Sequence, residues 1–264
     1  MVGNSTNVEG SYGGPPNSAV VVNGILALTN DGRFVANAVP IGGGSVPITA
    51  TLTTPDGASI KDTVSVNATG SLPPLVLTAV PAANLAPLTV QFAYQLDPSL
   101  SAAVVALDFD GDGRDDYAGP PGTLPTNVYS MPGLYTARLT VTDDQGAVHR
   151  AETGIGVLDP AALDALLQQM WASVKNGIRT NDVASVLPLI TVKARPDFQA
   201  MTSALTPVQR VGIDQILTAI TFVKVNENAT SATYEMLRTD DGAEHSYSIV
   251  FARDRDGVWR LRNF

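Results

Sequence analysis

The sequence predicts two all-β sandwiches followed by an α+β domain, and three observations carry that prediction. From residue 17 to 70, short β-type runs alternate with Asn-Gly, Asp-Gly and Gly-rich turns at roughly eight- to twelve-residue spacing, the rhythm of a sandwich, and a second β unit of six runs follows over 75–158. Past Asp159-Pro160 the apolar period changes from two to about 3.6, and four strand-like runs then close the chain. At 264 residues the chain exceeds the usual size of one domain, and the breaks in pattern divide it at 1–70, 71–158 and 159–264.

In the first division Val20-Val21-Val22 leads through the hairpin signal Asn23-Gly24 into Ile25 to Thr29. Asn30-Asp31-Gly32 turns the chain into Arg33-Phe34-Val35-Ala36, Gly42-Gly43-Gly44 precedes Pro47 to Leu52, and Pro55-Asp56-Gly57 precedes the last run, Asp62 to Val66. The order of the Val22-Asn23-Gly24 hairpin, Asp31-Gly32-Arg33-Phe34, the glycine loop and Ile48-Thr49-Ala50-Thr51 resembles bacterial immunoglobulin-like modules related to the glucodextranase B domain. That resemblance covers about fifty residues and implies a further strand upstream. Residues 1–16 offer only a short or missing one, so an open sheet edge is expected.

Thr69 to Pro74 reads as a short, proline-stiffened linker. Beyond it, strands are expected at 75–79, 88–94, 103–107, 127–129, 134–142 and 148–157. The wording Ala86 to Tyr94, then Leu107 to Gly113, then Tyr129 to Gly146 resembles the polycystic kidney disease (PKD) domain, an immunoglobulin-like sandwich, over roughly eighty residues. The family's usual Trp-Asp-Phe-Gly-Asp-Gly is here Leu107-Asp108-Phe109-Asp110-Gly111-Asp112-Gly113, with the tryptophan replaced and the acidic run lengthened.

That run, Asp108 to Asp116, is the most informative stretch of the chain. Calcium takes six to eight oxygens at roughly 2.3–2.6 Å, and Asp at loop positions one, three, five and nine can converge on one ion if the backbone turns sharply. Asp108, Asp110 and Asp112 are expected to ligate through side chains, Arg114 through its carbonyl oxygen, and Asp116 directly or through water. Gly113 stands where the turn is needed. Gly119 occupies position twelve, where a helix-loop-helix site requires a bidentate Glu, and no amphipathic helix flanks the run. The residues therefore describe a structural calcium loop on β-structure. Asp and Gly also serve plain turn chemistry, because Asp bonds its own loop amides. Five carboxylates in nine residues nevertheless repel one another unless something cationic neutralises them.

In the third division Asp159 caps and Pro160 opens a helix that puts Leu163, Leu166, Leu167, Met170, Trp171, Val174 and Ile178 on one face. A second helix follows Asn181-Asp182 and stops near Pro188; a third region, Phe198 to Leu217, restarts at Thr206-Pro207. Strands follow at 219–226, 230–238, 244–252 and 258–263, joined by Glu227-Asn228, Asp240-Asp241-Gly242 and Asp254-Arg255-Asp256-Gly257. The element order and the ending Asp254 to Phe264 are similar to nuclear-transport-factor-2-like (NTF2-like) domains. The resemblance implies a cone that often encloses a pocket, for which Tyr234, His245, Tyr247 and Trp259 are the candidate lining; it assigns no catalytic acid here. Packing is the plain alternative for His245, which shares a strand face with Tyr247, Ile249 and Phe251.

Composition narrows the function. No cysteine excludes disulfides, thiol catalysis and cysteine-ligated zinc, and two histidines, His149 and His245, exclude a histidine-rich site. The formal charge is −9; before Val157 five Lys/Arg stand against thirteen Asp/Glu, which argues against nucleic acid as a partner. No run of eighteen apolar residues is present, and neither a Walker A loop, a dinucleotide fingerprint nor a nucleophile elbow occurs. Met1-Val2-Gly3 opens no signal peptide, and the Lys-poor, Thr/Val/Gly-rich composition is that of exported bacterial β-domains, so a segment of a larger extracellular or cell-surface protein is expected. Its expected work is non-enzymatic spacing or adhesion toward a protein or glycan, with calcium as the structural cofactor. The alternatives are a carbohydrate-binding accessory region of a secreted hydrolase and an NTF2-like small-ligand binder. Regions flanking tyrosine-aspartate repeat shells of large bacterial surface proteins carry similar modules.

Overall fold

The computed structural model describes residues 4–264; Met1-Val2-Gly3 lie outside the described residues. The described residues are mostly β, with five sheets and one helical segment ahead of the last of them. Seven strands form the first part: β1 (Ser5–Ser11), β2 (Ala19–Val22), β3 (Ile25–Leu26), β4 (Leu28–Asn30), β5 (Arg33–Pro40), β6 (Gly44–Thr53) and β7 (Ser59–Ala68). They make two sheets, ordered β1-β5-β4 and β3-β2-β6-β7. Val20, Val22, Ala27, Phe34, Ala36, Val39 and Ile48 fill the space within this part. The turn residues behave as their chemistry requires: Asn23 and Gly24, then Asp31 and Gly32, all have positive φ, the backbone that two-residue hairpin turns demand.

Two features differ from the sequence expectation. The upstream strand is present: β1 runs antiparallel to β5 from Ser5↔Pro40 to Ser11↔Arg33. Its Ser-Thr-Asn-Gly-rich composition carries no apolar alternation; it is held by backbone pairing, with Val8 packed against the first core. Residues 25–29 also do not form one strand. β3 pairs back onto β2, Ala27 is buried and donates its N–H to the Val20 carbonyl at 2.9 Å, and β4 then joins the opposite sheet.

The second part comprises β8 (Leu75–Val80), β9 (Ala83–Leu85), β10 (Leu88–Leu96), β11 (Ala102–Asp108), β12 (Tyr117–Gly119), β13 (Asn127–Tyr129), β14 (Gly133–Asp143) and β15 (Val148–Leu158). One sheet is β13-β10-β8 and the other β12-β11-β14-β15-β9. Both contribute to a core that includes Leu77, Val90, Phe92, Leu107, Leu139, Val141 and Ile155. At roughly 1.5–3 kcal/mol per buried large apolar side chain, this core is the main source of cohesion. The described residues group into two compact units: one takes in residues 4–13, Val20–Leu52 and Ile60–Asp159, the other Gly14–Ala19, Thr53–Ser59 and Pro160–Phe264.

In the second unit α1 (Pro160–Arg179) buries Leu163, Leu167, Met170, Trp171, Val174 and Ile178, with Leu166 half-buried beside them. Short helices follow: α2 (Val183–Val186), α3 (Arg195–Ala204), α4 (Pro207–Val211) and α5 (Ile213–Ile216). Asp182 caps α2 through its side chain, and Thr206 closes a capping box with Gln209 at the start of α4. The antiparallel meander β16 (Ile220–Val225), β17 (Ser231–Asp240), β18 (Ala243–Arg253), β19 (Trp259–Asn263) completes the unit. α1 is tied to it by the Trp171 indole N–H, which donates to the Thr218 carbonyl at 2.9 Å, and by Gln168, which donates to the Ile220 carbonyl at 3.0 Å.

Candidate metal centre

Strand β11 delivers Asp108 to the end of the second core, and β12 returns from the loop with Leu107 opposite Tyr117. The residues between them are wound by their own carboxylates. Asp108 is 4 % exposed, and its two oxygens accept the N–H groups of Gly111 at 2.6 Å and Gly113 at 2.9 Å. Asp116 accepts the Phe109 N–H at 2.7 Å, and its own N–H bonds the Leu107 carbonyl at 3.0 Å, which closes the loop. Gly111 and Gly113 have φ of +80° and +90°, a backbone that side chains oppose.

Gly111 is the more constrained of the two. A Cβ there would lie 2.6 Å from the Thr136 carbonyl oxygen, so the loop rests directly on β14. Arg138, on the same strand, donates to the Gly111 carbonyl at 2.8 Å, and the Tyr129 hydroxyl donates to the Phe109 carbonyl at 2.7 Å. Burial pushes the Tyr129 phenol well above its usual range, and the charges of Asp110 and Asp116 add to the shift. Sequence reasoning did not find these supports. Their partners lie 20 or more residues away, and no local spacing signals them.

Carboxylate oxygens of Asp108, Asp110 and Asp116 all lie within 4.8 Å of one another. Two oxygens on opposite sides of one calcium ion are separated by up to about 5 Å, so this triad fits a single hard cation. Asp112 stands apart: its side chain accepts the Arg114 N–H at 2.8 Å, while its own N–H is held by Asp110 at 3.1 Å. Arg114 is exposed, and Gly119 lies beyond the cluster in β12. Of the five residues the spacing singles out, the structure therefore gathers three side chains. A shallow concavity beside them is lined by Asp108, Asp115, Arg138, Arg150 and Glu152.

The four candidate pocket residues of the second unit are placed as follows. Tyr234 has no exposed surface, and its hydroxyl donates to Asp164 of α1 at 2.8 Å; burial and then that carboxylate raise its pKa beyond the usual range. Trp259 is buried, lies under the Arg253 guanidinium at 5.1 Å, and exchanges two backbone hydrogen bonds with the Asn17 amide. Tyr247 donates to Asp240 at 2.6 Å and carries Arg238 over its ring at 4.6 Å. His245 is exposed, with its ring 6.5 Å from that of Tyr247. A concavity on this unit is lined by Gln169, Ser173, Asn176 and Ser185.

No protein-family model matches the chain, and no curated protein matches it. Among solved structures it is similar to the fibronectin(III)-like modules of Clostridium thermocellum CbhA, at 16 % identity over 61 % of this chain and 88 % of that one, with a TM-score of 0.27. It is similar to the Bacteroides ovatus mixed-linkage glucan protein SGBP-B in complex with a heptasaccharide, at 16 % identity over 60 % of this chain and 43 % of that one, TM-score 0.19. A tetra-tandem repeat from the extending region of a large adhesion protein matches at 12 % identity over 99 % of this chain and 69 % of that one, TM-score 0.21. These neighbours are surface, adhesion and glycan-binding modules, and at such scores the likeness carries no weight for mechanism.

Proposed function

We propose that the chain is a non-enzymatic spacer and adhesion segment of a larger bacterial surface protein, with a structural calcium site at Asp108, Asp110 and Asp116. In this reading the first two parts are immunoglobulin-like, the second of them PKD-like, and the third is NTF2-like; the partner is a protein or glycan at the cell surface. The observation that carries the calcium site is the convergence of three carboxylates, one of them buried, within 4.8 Å on a loop that those carboxylates themselves fold.

The state of the other acids supports a structural role. His149 holds the Asp143 carboxyl below its usual pKa, Lys175 and Arg179 do so for Asp214, and Arg238 with Tyr247 for Asp240. At Asp256 burial acts in the opposite sense, but the two-pronged Arg260 contact and the Val258 N–H together outweigh it and the pKa is again lowered. Asp214, Asp240 and Asp256 are spent on internal ion pairs, and Asp143 on a hydrogen bond to His149.

Calcium would bind the folded state only. With a Kd of roughly 0.1–1 mM, as extracellular modules have, 10 mM calcium adds about 1.4–2.7 kcal/mol. Thermal unfolding of the full chain in EDTA and in 10 mM calcium measures this directly. A melting curve that is the same in both rejects the site.

A further inference from the structure

Strand β5 is buried on both sides, which a simple sandwich strand is not. Phe34 and Ala36 belong to the first core, yet Val35 between them is only 1 % exposed and points away from it. What covers Val35 is β15: a Cβ on Gly154 would lie 2.6 Å from Val35 Cγ1, and one on Gly156 would lie 3.3 Å from Leu28 Cβ. At Gly154 a side chain would collide with Val35, and at Gly156 it would have little room beside Leu28.

The same place carries a β-bulge. Pairing of β1 with β5 shifts between Thr6 and Val8, and Ala38 opposite the shift has φ of +53°, a conformation that a non-glycine residue adopts at a cost. The bulge aims two amides outward. Asn37 donates to the Gly154 carbonyl at 2.9 Å and accepts the Gly154 N–H at 2.8 Å, as a neighbouring strand would. Asn7 donates to the Glu152 carbonyl at 2.6 Å while accepting the Ala38 N–H at 3.0 Å, and Thr136 donates to Glu9 at 3.2 Å.

We propose that this bulge-and-glycine joint locks the first two sandwiches into one stiff strut, rather than leaving them as beads on the Thr69–Pro74 linker. Apolar contact without side chains in the way, combined with backbone-type hydrogen bonds that fix register, removes the hinge motion expected of joined domains. The strut does not depend on whether the acidic loop takes a cation, so its test is run in EDTA.

The chain has no cysteine, so nitroxide labels can be placed at Lys61→Cys and Gln145→Cys, both exposed and on different sandwiches. Ala118→Cys with Gln145→Cys, both on the second sandwich, gives the width of a rigid reference. The expected inter-sandwich distance distribution is as narrow as the reference, and Gly154→Val broadens it several-fold. Asn37→Asp, which sets a carboxylate against the Gly154 carbonyl with little change of volume, broadens it as well and guards against misfolding of the bulkier variant. A broad distribution in the unmodified joint, or a narrow one retained by folded Asn37→Asp, overturns the proposal.

Discussion

Asp108 and Asp143 sit at the two ends of the same sheet and are equally hidden, each 4 % exposed. Both accept two backbone N–H groups from the turn they start: Gly111 and Gly113 for Asp108, Gln145 and Ala147 for Asp143. They differ in what faces their charge. Asp143 has His149 at 2.9 Å, whereas Asp108 has Asp110 and Asp116 as its neighbours in the oxygen cluster. A buried carboxylate with its own imidazole partner is a closed structural device, while one surrounded by further carboxylates gains from a cation supplied from outside.

The largest test of this contrast is Asp108→Ala. It leaves two loop N–H groups without their charged acceptor, and about 3 kcal/mol of stability is expected to be lost in urea titrations in EDTA, together with the whole calcium response. If calcium still shifts the Asp108→Ala curve as much as the parent curve, the two turns do not differ in the way described. Gly111→Ala comes next, because it combines a left-handed backbone with a collision at the Thr136 carbonyl. A loss of about 2 kcal/mol is expected in the same titration.

Asp143 offers the opposite arm. Its folded pKa is depressed, so the folded state gives up the proton more readily than the unfolded state. The stabilisation is then fully present above an unfolded value of roughly 3.9 and is lost as pH falls through the folded value. Asp143→Asn should flatten the acid limb of the stability curve below about pH 4 and leave the calcium shift untouched. Equal calcium sensitivity of Asp143→Asn and Asp108→Asn would erase the distinction. The smallest effect is expected at Asp112, an exposed residue that only caps the Arg114 N–H. Asp112→Asn should cost under about 1 kcal/mol and keep the calcium shift, which separates the gathered triad from the fuller ligand set that spacing suggests.

Much of the fold could be read from local chemistry. Positive φ at Asn23-Gly24, Asp31-Gly32 and Asp241-Gly242, the box at Thr206 and the apolar face of α1 all follow from residues close in sequence. What escaped was set over distance. Strand β1 has no apolar alternation to announce it, and the break at Ala27 reflects which sheet is free to accept β4. Asp112 departs from its neighbours because each carboxylate takes whichever backbone N–H the loop presents, and alternate spacing does not record that choice. Gly154 and Gly156 read simply as strand glycines until Val35, Leu28 and Asn37 are brought against them.

One pairing in the second sandwich bears on load. Its early strand β9 lies parallel to its last strand β15, with Ala83 opposite Gly156 and Leu85 opposite Leu158. The Gly156 N–H bonds the Ala82 carbonyl and the Ala86 N–H bonds the Leu158 carbonyl, each at 2.9 Å. A tether pulled from both ends draws these two strands in opposite directions along their length, so the bonds are strained together in shear and cannot be unzipped one at a time. A module clamped in this way resists tension applied along its own termini.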